Sequence, residues 1–206
     1  MLFAMTDEAT LAWYDREAAS YAAMMAQGSA RSLSHGFLMP FLDALPAGAR
    51  VLELGCGGGR DTVEMLARGF AVDATDGSPA MAREASARTG QPVQVLRFTD
   101  LAAIGTYDAV WAHASIHHQP FAGLGDVLAR IHRALRPGGL FFANYKLGSG
   151  DDRDGLGRLY SFPPRADLLA LYASAGWEMA RIDDYRAGGA DKVERDWIAI
   201  TARKPA

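Results

Sequence analysis

From residue 50 onward, short and nearly continuous apolar runs alternate with stretches in which apolar residues recur every three or four positions. A short apolar run fits a strand buried on both faces, and the longer period fits a helix lying over it. The pattern predicts strands over 50–54, 70–75, 93–97, 107–112 and 139–145, with helices over 60–68, 79–88 and 121–135 between them. Upstream, Leu11, Tyr14, Ala18 and Tyr21 share helical spacing within 7–27, and a second helix is predicted over 31–44. Gly69, Gly90 and Pro137-Gly138-Gly139 stand where helices should stop. A Gly- and Asp-rich loop over 148–157 then leads to a helix over 164–175. Two β-like stretches, 177–185 and 193–201, flank Ala187-Gly188-Gly189-Ala190-Asp191, which reads as the turn of an antiparallel pair. Such alternation implies an α/β fold, a mostly parallel sheet covered by helices on both faces.

The first strand runs into Gly55-Cys56-Gly57-Gly58-Gly59, and a helix begins near Arg60. Glycines at 55, 57 and 59 let the backbone take positive φ and approach a ligand, while the helix start offers free N–H groups at the same place. This predicts a nucleotide-type cofactor loop; the other reading is a tight turn at a strand end. Arg60 breaks the G-x-G-x-x-G register of dinucleotide folds, and no Gly-Lys-Ser/Thr follows to make a Walker loop. Asp76 closes the second strand, where a carboxylate can accept from both ribose hydroxyls of an adenosine ligand. Gly77-Ser78-Pro79 follows as a helix entry, with Ser78 as N-cap, so capping is the alternative role for Asp76 and Ser78.

G-x-G-x-G after the acidic strand residue Glu53 resembles motif I of the class I S-adenosylmethionine-dependent methyltransferases. Tyr107-Asp108 at the start of a strand and Leu135-Arg136-Pro137-Gly138-Gly139-Leu140 resemble further landmarks of that family. The tail Tyr185-Arg186 and Glu194-Arg195-Asp196-Trp197 is similar to a subgroup of small bacterial methyltransferases of the tellurite-resistance and ubiquinone-biosynthesis type, and the resemblance covers most of the chain from about residue 10. It implies a Rossmann-like three-layer sandwich with a reversed C-terminal strand. It also implies S-adenosylmethionine as cofactor, S-adenosylhomocysteine as product and a small-molecule methyl acceptor. Glu53, Gly55, Cys56, Gly57, Gly59, Asp76, Gly77 and Ser78 become the expected cofactor contacts. Asp100 and Leu101 match the adenine-binding segment, with a turn acid and a core leucine as the alternative; Ala112 and His113 would lie beside the methionine part. Cys56 reads as a small tolerated side chain rather than a nucleophile.

His113, His117 and His118 fall within six residues after the fourth strand, where donor and acceptor meet in the family. With no cysteine or carboxylate completing the set, no metal is expected. His117 is the expected general base, or else orients backbone, and His118 borders the acceptor or packs under the next helix. Trp13, Tyr14 and Tyr21 belong to a helix that covers the cofactor in this family; Tyr14 is the second catalytic candidate, against a plain core role. Lys146, Tyr160 and Arg186 are the remaining acceptor candidates, against solvated loop charge.

Composition narrows the class without changing it. The 206 residues suffice for one domain, read as a helical cap over 1–45, a cofactor core over 46–147 and a C-terminal helix with a strand pair over 148–206. A net charge of −3 lacks the positive field that nucleic-acid binding uses. A single cysteine excludes an internal disulfide, and neither a signal peptide nor a membrane-spanning run is read, so a cytoplasmic protein is expected. Oligomeric state is not legible. The rival readings are a non-catalytic protein that keeps the adenosine site and, less favoured, an NAD(P)-dependent oxidoreductase.

Overall fold

The computed structural model describes residues 7–25, 29–189 and 193–206. Helices α1 (Glu8–Met25) and α2 (Ser29–Asp43) precede β1 (Arg50–Leu54). Then follow α3 (Arg60–Ala67), β2 (Ala71–Asp76), α4 (Pro79–Thr89), β3 (Gln94–Val95), β4 (Tyr107–Ala112), α5 (Phe121–Ala134) and β5 (Leu135–Lys146). The last elements are β6 (Asp151–Arg153), β7 (Leu159–Ser161), α6 (Arg165–Ser174), β8 (Glu178–Gly188) and β9 (Glu194–Arg203). Residues 26 and 27 of the first expected helix, the N-terminal Met1 to Thr6, and Ala190-Asp191 of the expected turn lie outside the described residues.

Seven strands form one sheet in the order β3-β2-β1-β4-β5-β9-β8. The strands from β3 to β5 are parallel, and β9 runs antiparallel to both of its neighbours. Successive strands step one way from β1 to β3 and the other way from β4 to β5. Crossover helices part at that reversal, leaving a crevice beyond the carboxyl ends of β1 and β4. One sheet face packs Leu52, Val110, Phe141 and Ile200 against Leu124, Val127, Leu128 and Ile131 of α5 and Leu168 and Tyr172 of α6. The opposite face packs Val51, Trp111 and Phe142 against Leu38, Phe41 and Leu42 of α2 and Met65 of α3. Each such side chain taken fully out of water contributes about 1.5–3 kcal/mol, which fixes the helices to their faces.

The expected three-layer α/β sandwich with a reversed strand near its C-terminus is the observed fold. Three local expectations need correction. The strand expected over 93–97 shortens to Gln94–Val95, both exposed at the sheet edge, because the chain turns inward at Leu96 and winds into a 3-10 turn over Phe98–Asp100. Pro137-Gly138-Gly139 sits inside β5 as a bulge: Tyr107 pairs with Leu135 and Ala109 with Leu140, and Gly138 takes φ 77°. The loop expected after β5 contains the β6–β7 hairpin, whose turn is fixed by Asp154 accepting from the backbone N–H of Leu156 and Arg158 at 3.0 Å each.

Candidate functional site

The glycine loop after β1 is shaped by its neighbours. The N–H groups of Gly55 and Cys56 both donate to Thr75 O at 2.9 Å, tying the loop to β2. Gly55 has φ 73°, and a Cβ there would lie 2.5 Å from the Ser115 Cβ, so only glycine fits. Gly57 N–H donates to Asp76 Oδ2 and Ser78 N–H to Oδ1, each at 2.9 Å. Both Asp76 oxygens are thus engaged with lone pairs to spare, and burial pushes the carboxyl up to about 6 against those two hydrogen bonds. Gly59, left-handed at φ 74°, starts α3 without a side-chain cap.

A cavity of about 130 Å³ opens at this loop. Gly55, Cys56, Gly57, Gly58, Asp76 and Gly77 form its floor, and Thr10, Leu11, Tyr14, Tyr21, Ala22 and Met25 of α1 form its roof. The helix comes close because Gly58 lacks a side chain: a Cβ there would meet Ala22 Cβ at 2.8 Å. Polar contacts pin the roof from both sides. Asp15 accepts from Ser78 Oγ at 2.6 Å and Ala80 N–H at 2.9 Å, and Thr10 Oγ1 accepts from Leu159 N–H at 2.8 Å. Arg153 pairs with Asp7 at 2.6 Å, and that guanidinium holds the carboxyl down at about 2.

Two further carboxylates reach the cavity. Glu53 is 3% exposed and accepts from Thr62 Oγ1 at 2.5 Å; burial, then the Asp61 charge, push it up to about 8. Asp61 accepts from Ser34 Oγ at 2.6 Å, Trp111 Nε1 at 3.1 Å and Arg60 Nε at 2.8 Å. Burial opposes its ionisation, but the His113 and Arg60 charges with the Arg60 and Ser34 hydrogen bonds hold it below the usual range.

After β4 the chain turns at Ala114, which takes φ 50°; its N–H donates to Asn144 Oδ1 at 2.6 Å. His113, Ala114, Ser115 and His118 line the cavity. The His113 ring stacks over Trp111 at 5.9 Å, and burial pushes its pKa down to about 4. His118 Nδ1 lies 2.6 Å from Leu159 O, a pure acceptor, so Nδ1 carries the proton. Nε2 therefore accepts from the Tyr14 hydroxyl at 2.9 Å, and Tyr14 in turn accepts from Arg158 Nη1 at 3.2 Å. Burial pushes His118 down to about 4, with the Arg158 and Lys146 charges acting the same way. Arg158 is fully buried, paired through two nitrogens with Asp154 and stacked 4.4 Å from the Trp13 ring.

The expected residues divide accordingly. Glu53, Gly55, Cys56, Gly57, Asp76, Gly77, His113, His118 and Tyr14 line one cavity. Ser78 instead caps α4, accepting from Met81 N–H at 3.1 Å, and Gly59 sits behind the loop against Ala85. Asp100 is exposed and Leu101 is in the core under α5, so neither lines the cavity; Leu96, Arg97 and Phe98 do, because the chain turns inward at Leu96, ahead of the two residues that the resemblance implied. Ala112 also lies in the core. His117, 3% exposed, is outside the cavity lining, with its ring 5.0 Å from Tyr160 and 5.6 Å from Trp197; burial, then the His118 and Lys146 charges, push its pKa well down. Lys146 and Tyr160 are buried together, Nζ standing 3.6 Å over the ring, whereas Arg186 is on the exposed face of β8 beside Glu194 and Asp196. Sequence reasoning did not single out Asp61, Ser34, Ser115 or Phe98. Asp61 followed the loop directly, and its carboxylate after Arg60 was the available signal.

Among the described residues no three His, Cys, Asp or Glu side chains converge to hold a metal ion, and no helix is long and apolar enough to cross a membrane. Residues 51–139 match the family model described as a methyltransferase domain, which spans β1 through the β5 bulge and so contains the loop, Asp61, Asp76 and the turn after β4. Residues 51–139 are therefore similar to a methyltransferase domain. The chain is 32% identical over 100 residues to an uncharacterised methyltransferase of Synechocystis sp., covering 48% of this chain and 47% of that protein. It is 38% identical over 107 residues to the ubiquinone biosynthesis O-methyltransferase of Xanthomonas axonopodis pv. citri, covering 47% of this chain and 43% of that one. The chain thus spans about half the length of the curated relatives it matches. Over its whole length it superposes on the Burkholderia thailandensis 1,6-didemethyltoxoflavin-N1-methyltransferase, solved with 1,6-didemethyltoxoflavin and S-adenosylhomocysteine bound. The TM-score is 0.74, with 25% identity and 93% of that chain covered. The N-methyltransferase NodS of Bradyrhizobium japonicum, at 16% identity and a TM-score of 0.74 over 97% of this chain and all of that one, shares the fold.

Proposed function

We propose that this protein transfers a methyl group from S-adenosylmethionine to a small-molecule acceptor. The observation that supports this most directly is the Asp76 carboxylate held by Gly57 and Ser78 N–H groups at the floor of a cavity roofed by α1. The residues fit the cofactor. The Asp76 oxygens keep lone pairs for two ribose hydroxyls, Gly55 and Gly58 hold the loop against Ser115 and Ala22 where a Cβ would lie 2.5 Å and 2.8 Å from their Cβ atoms, and the cavity-lining His113 carries a buried Nε2 without a partner. In this reading Leu96 and Phe98 flank the base, Glu53, Asp61, His113 and Ser115 face the methionine end, and Tyr14 and His118 border the acceptor.

The bound cofactor supplies an already activated sulfonium methyl, so the protein's contribution is to orient, to exclude water and to manage protons. The α1 roof does the excluding. His118 is a poor base here, with both ring nitrogens engaged and its pKa pushed down to about 4. His117 lies behind it and does not reach the cavity lining. We therefore assign Tyr14 and His118 to positioning and leave deprotonation to the acceptor's own chemistry.

We further read the chain as a single cytoplasmic domain with a helical cap over 1–45, a core over 46–147 and a C-terminal part over 148–206. The continuous seven-stranded sheet and the one buried thiol, Cys56, support this. Calorimetric titration with S-adenosylhomocysteine, with NADH as control, tests the assignment. One-site binding of the first alone is expected; binding of NADH alone, or of neither by ligand-free protein, would remove it.

A further inference from the structure

The turn after β4 holds a strained backbone. Among the described residues Ala114 is the only non-glycine with a positive φ, 50°, a conformation that crowds Cβ against the carbonyl oxygen and that alanine rarely adopts. Such strain persists only where the surroundings over-determine it, and it gathers at ligand sites. Ala114 lines the cofactor cavity between His113 and Ser115. Ser115 donates from Oγ to Leu54 O at 2.7 Å, and its Cβ stands where a Cβ on Gly55 would fall. The turn and the glycine loop are fitted to each other, and a change of φ at Ala114 would move the surface against which the loop rests.

The group that holds Ala114 comes from outside the cavity. Asn144 of β5, 1% exposed, accepts from the Ala114 N–H through Oδ1 at 2.6 Å, and its Nδ2 donates to the Tyr185 hydroxyl at 2.9 Å. A backbone N–H only donates, so the amide oxygen faces Ala114 and the amide nitrogen faces Tyr185. Tyr185 reaches across β9 from β8, and its ring is set by Trp197, stacked at 5.9 Å, and by Phe37 of α2 at 5.2 Å. Neither Asn144 nor Tyr185 lines the cavity. Resting on the methyltransferase reading, we propose that Asn144 is a positioning residue for cofactor binding: oriented by Tyr185, it holds Ala114 in the left-handed conformation and so fixes the wall of His113, Ala114 and Ser115 against the glycine loop. A wall formed in advance spares the ligand the cost of ordering it.

The test is a double-mutant cycle on the full chain, read as the Kd of S-adenosylhomocysteine by calorimetry, with Asn144→Leu, Ala114→Gly and the two together. Glycine takes positive φ without steric cost and so removes the need for the restraint. Asn144→Leu alone is expected to weaken binding about tenfold, as the loss of one buried hydrogen bond implies. Measured against Ala114→Gly as its own reference, the same substitution is expected to cost no more than about threefold. Equal losses in both backgrounds would overturn the proposal, because Asn144 would then act through packing alone, and a lowered Tm with unchanged affinity would do the same. Tyr185→Phe, which frees the amide to turn over, serves if Asn144→Leu does not fold: a weakening that shrinks in the Ala114→Gly background supports the role, and no weakening, or one that does not shrink, removes it. Failure of S-adenosylhomocysteine to bind the wild-type protein would instead remove the methyltransferase reading. Hydrogen exchange at the Ala114 amide then decides the role of Asn144, with exchange at least about tenfold faster in Asn144→Leu expected and equal rates overturning it.

Discussion

Tyr14 on α1 donates its hydroxyl hydrogen to His118 Nε2 at 2.9 Å, joining the cavity roof to the turn after β4 across 104 residues of sequence. Arg158 adds a third member from the β6–β7 hairpin, donating to the same hydroxyl at 3.2 Å. Replacing Tyr14 by Phe leaves a buried imidazole lone pair and a guanidinium N–H unpaired. The expected cost is about 1–3 kcal/mol, seen as a fall in Tm of roughly 2–4 °C per kcal/mol. Retained S-adenosylhomocysteine binding with reduced methyl transfer would fit the positioning role; unchanged Tm and turnover would show that the three groups act independently.

On the proposed assignment of Asp76, cofactor affinity is expected to depend on pH. Ligand hydroxyls would donate to the ionised carboxylate, whose pKa in the free protein is pushed up to about 6. Protonation therefore competes with the ligand: affinity is full above about pH 6 and falls below it, approaching about tenfold per pH unit. Isothermal titration of S-adenosylhomocysteine between pH 5 and 8 should show this decline, and Asp76→Asn should bind weakly with the decline flattened. A wild-type profile flat through pH 6 would separate Asp76 from the ligand.

Gly58 sets how closely α1 approaches the loop. In Gly58→Ala the new methyl meets Ala22 Cβ at 2.8 Å and its Cα at 3.1 Å, and a backbone atom cannot swing aside as a flexible side chain would. The helix must lift, at a cost of about 1–3 kcal/mol. Hydrogen exchange should quicken across α1 while β4 and β5 remain protected; uniform loss of protection would mean that the glycine supports the whole fold.

Asp61 is the most connected carboxylate of the site, serving Ser34, Arg60 and Trp111 at once. Asp61→Ala strands a buried indole N–H and a guanidinium, and about 3–5 kcal/mol of destabilisation is expected. Asp61→Asn keeps an acceptor and should lose markedly less. Chemical denaturation of the two variants side by side decides this, and equal losses would assign the effect to charge alone.

The strand and helix register of the core was legible because buried parallel strands and their covering helices have distinct hydrophobic periods, and the loop because its glycines and Asp76 sit at element ends. Asp100 and Leu101, expected on the adenine side, lie outside the cavity lining. An inward turn at Leu96 depends on where the sheet edge lies, and no period in the sequence reports that. The β6–β7 hairpin was illegible for a related reason: Asp151, Asp152 and Arg153 form a strand with every side chain exposed, so no apolar alternation marks it. Among the histidines, sequence put three within one hexapeptide but gave no means of ordering them. Backbone geometry at Ala114 and the 3-10 turn send His113 and His118 to the cavity and His117 behind it.

The α1 roof is fastened at Asp15 to the start of α4 and at Thr10 and Tyr14 to β7 and its hairpin, while its residues form one wall of the cavity. Those two fastenings tie that wall to opposite margins of the crevice, so the helix is braced as a beam rather than hinged at one end. Loosening either brace is expected to speed ligand exchange in both directions.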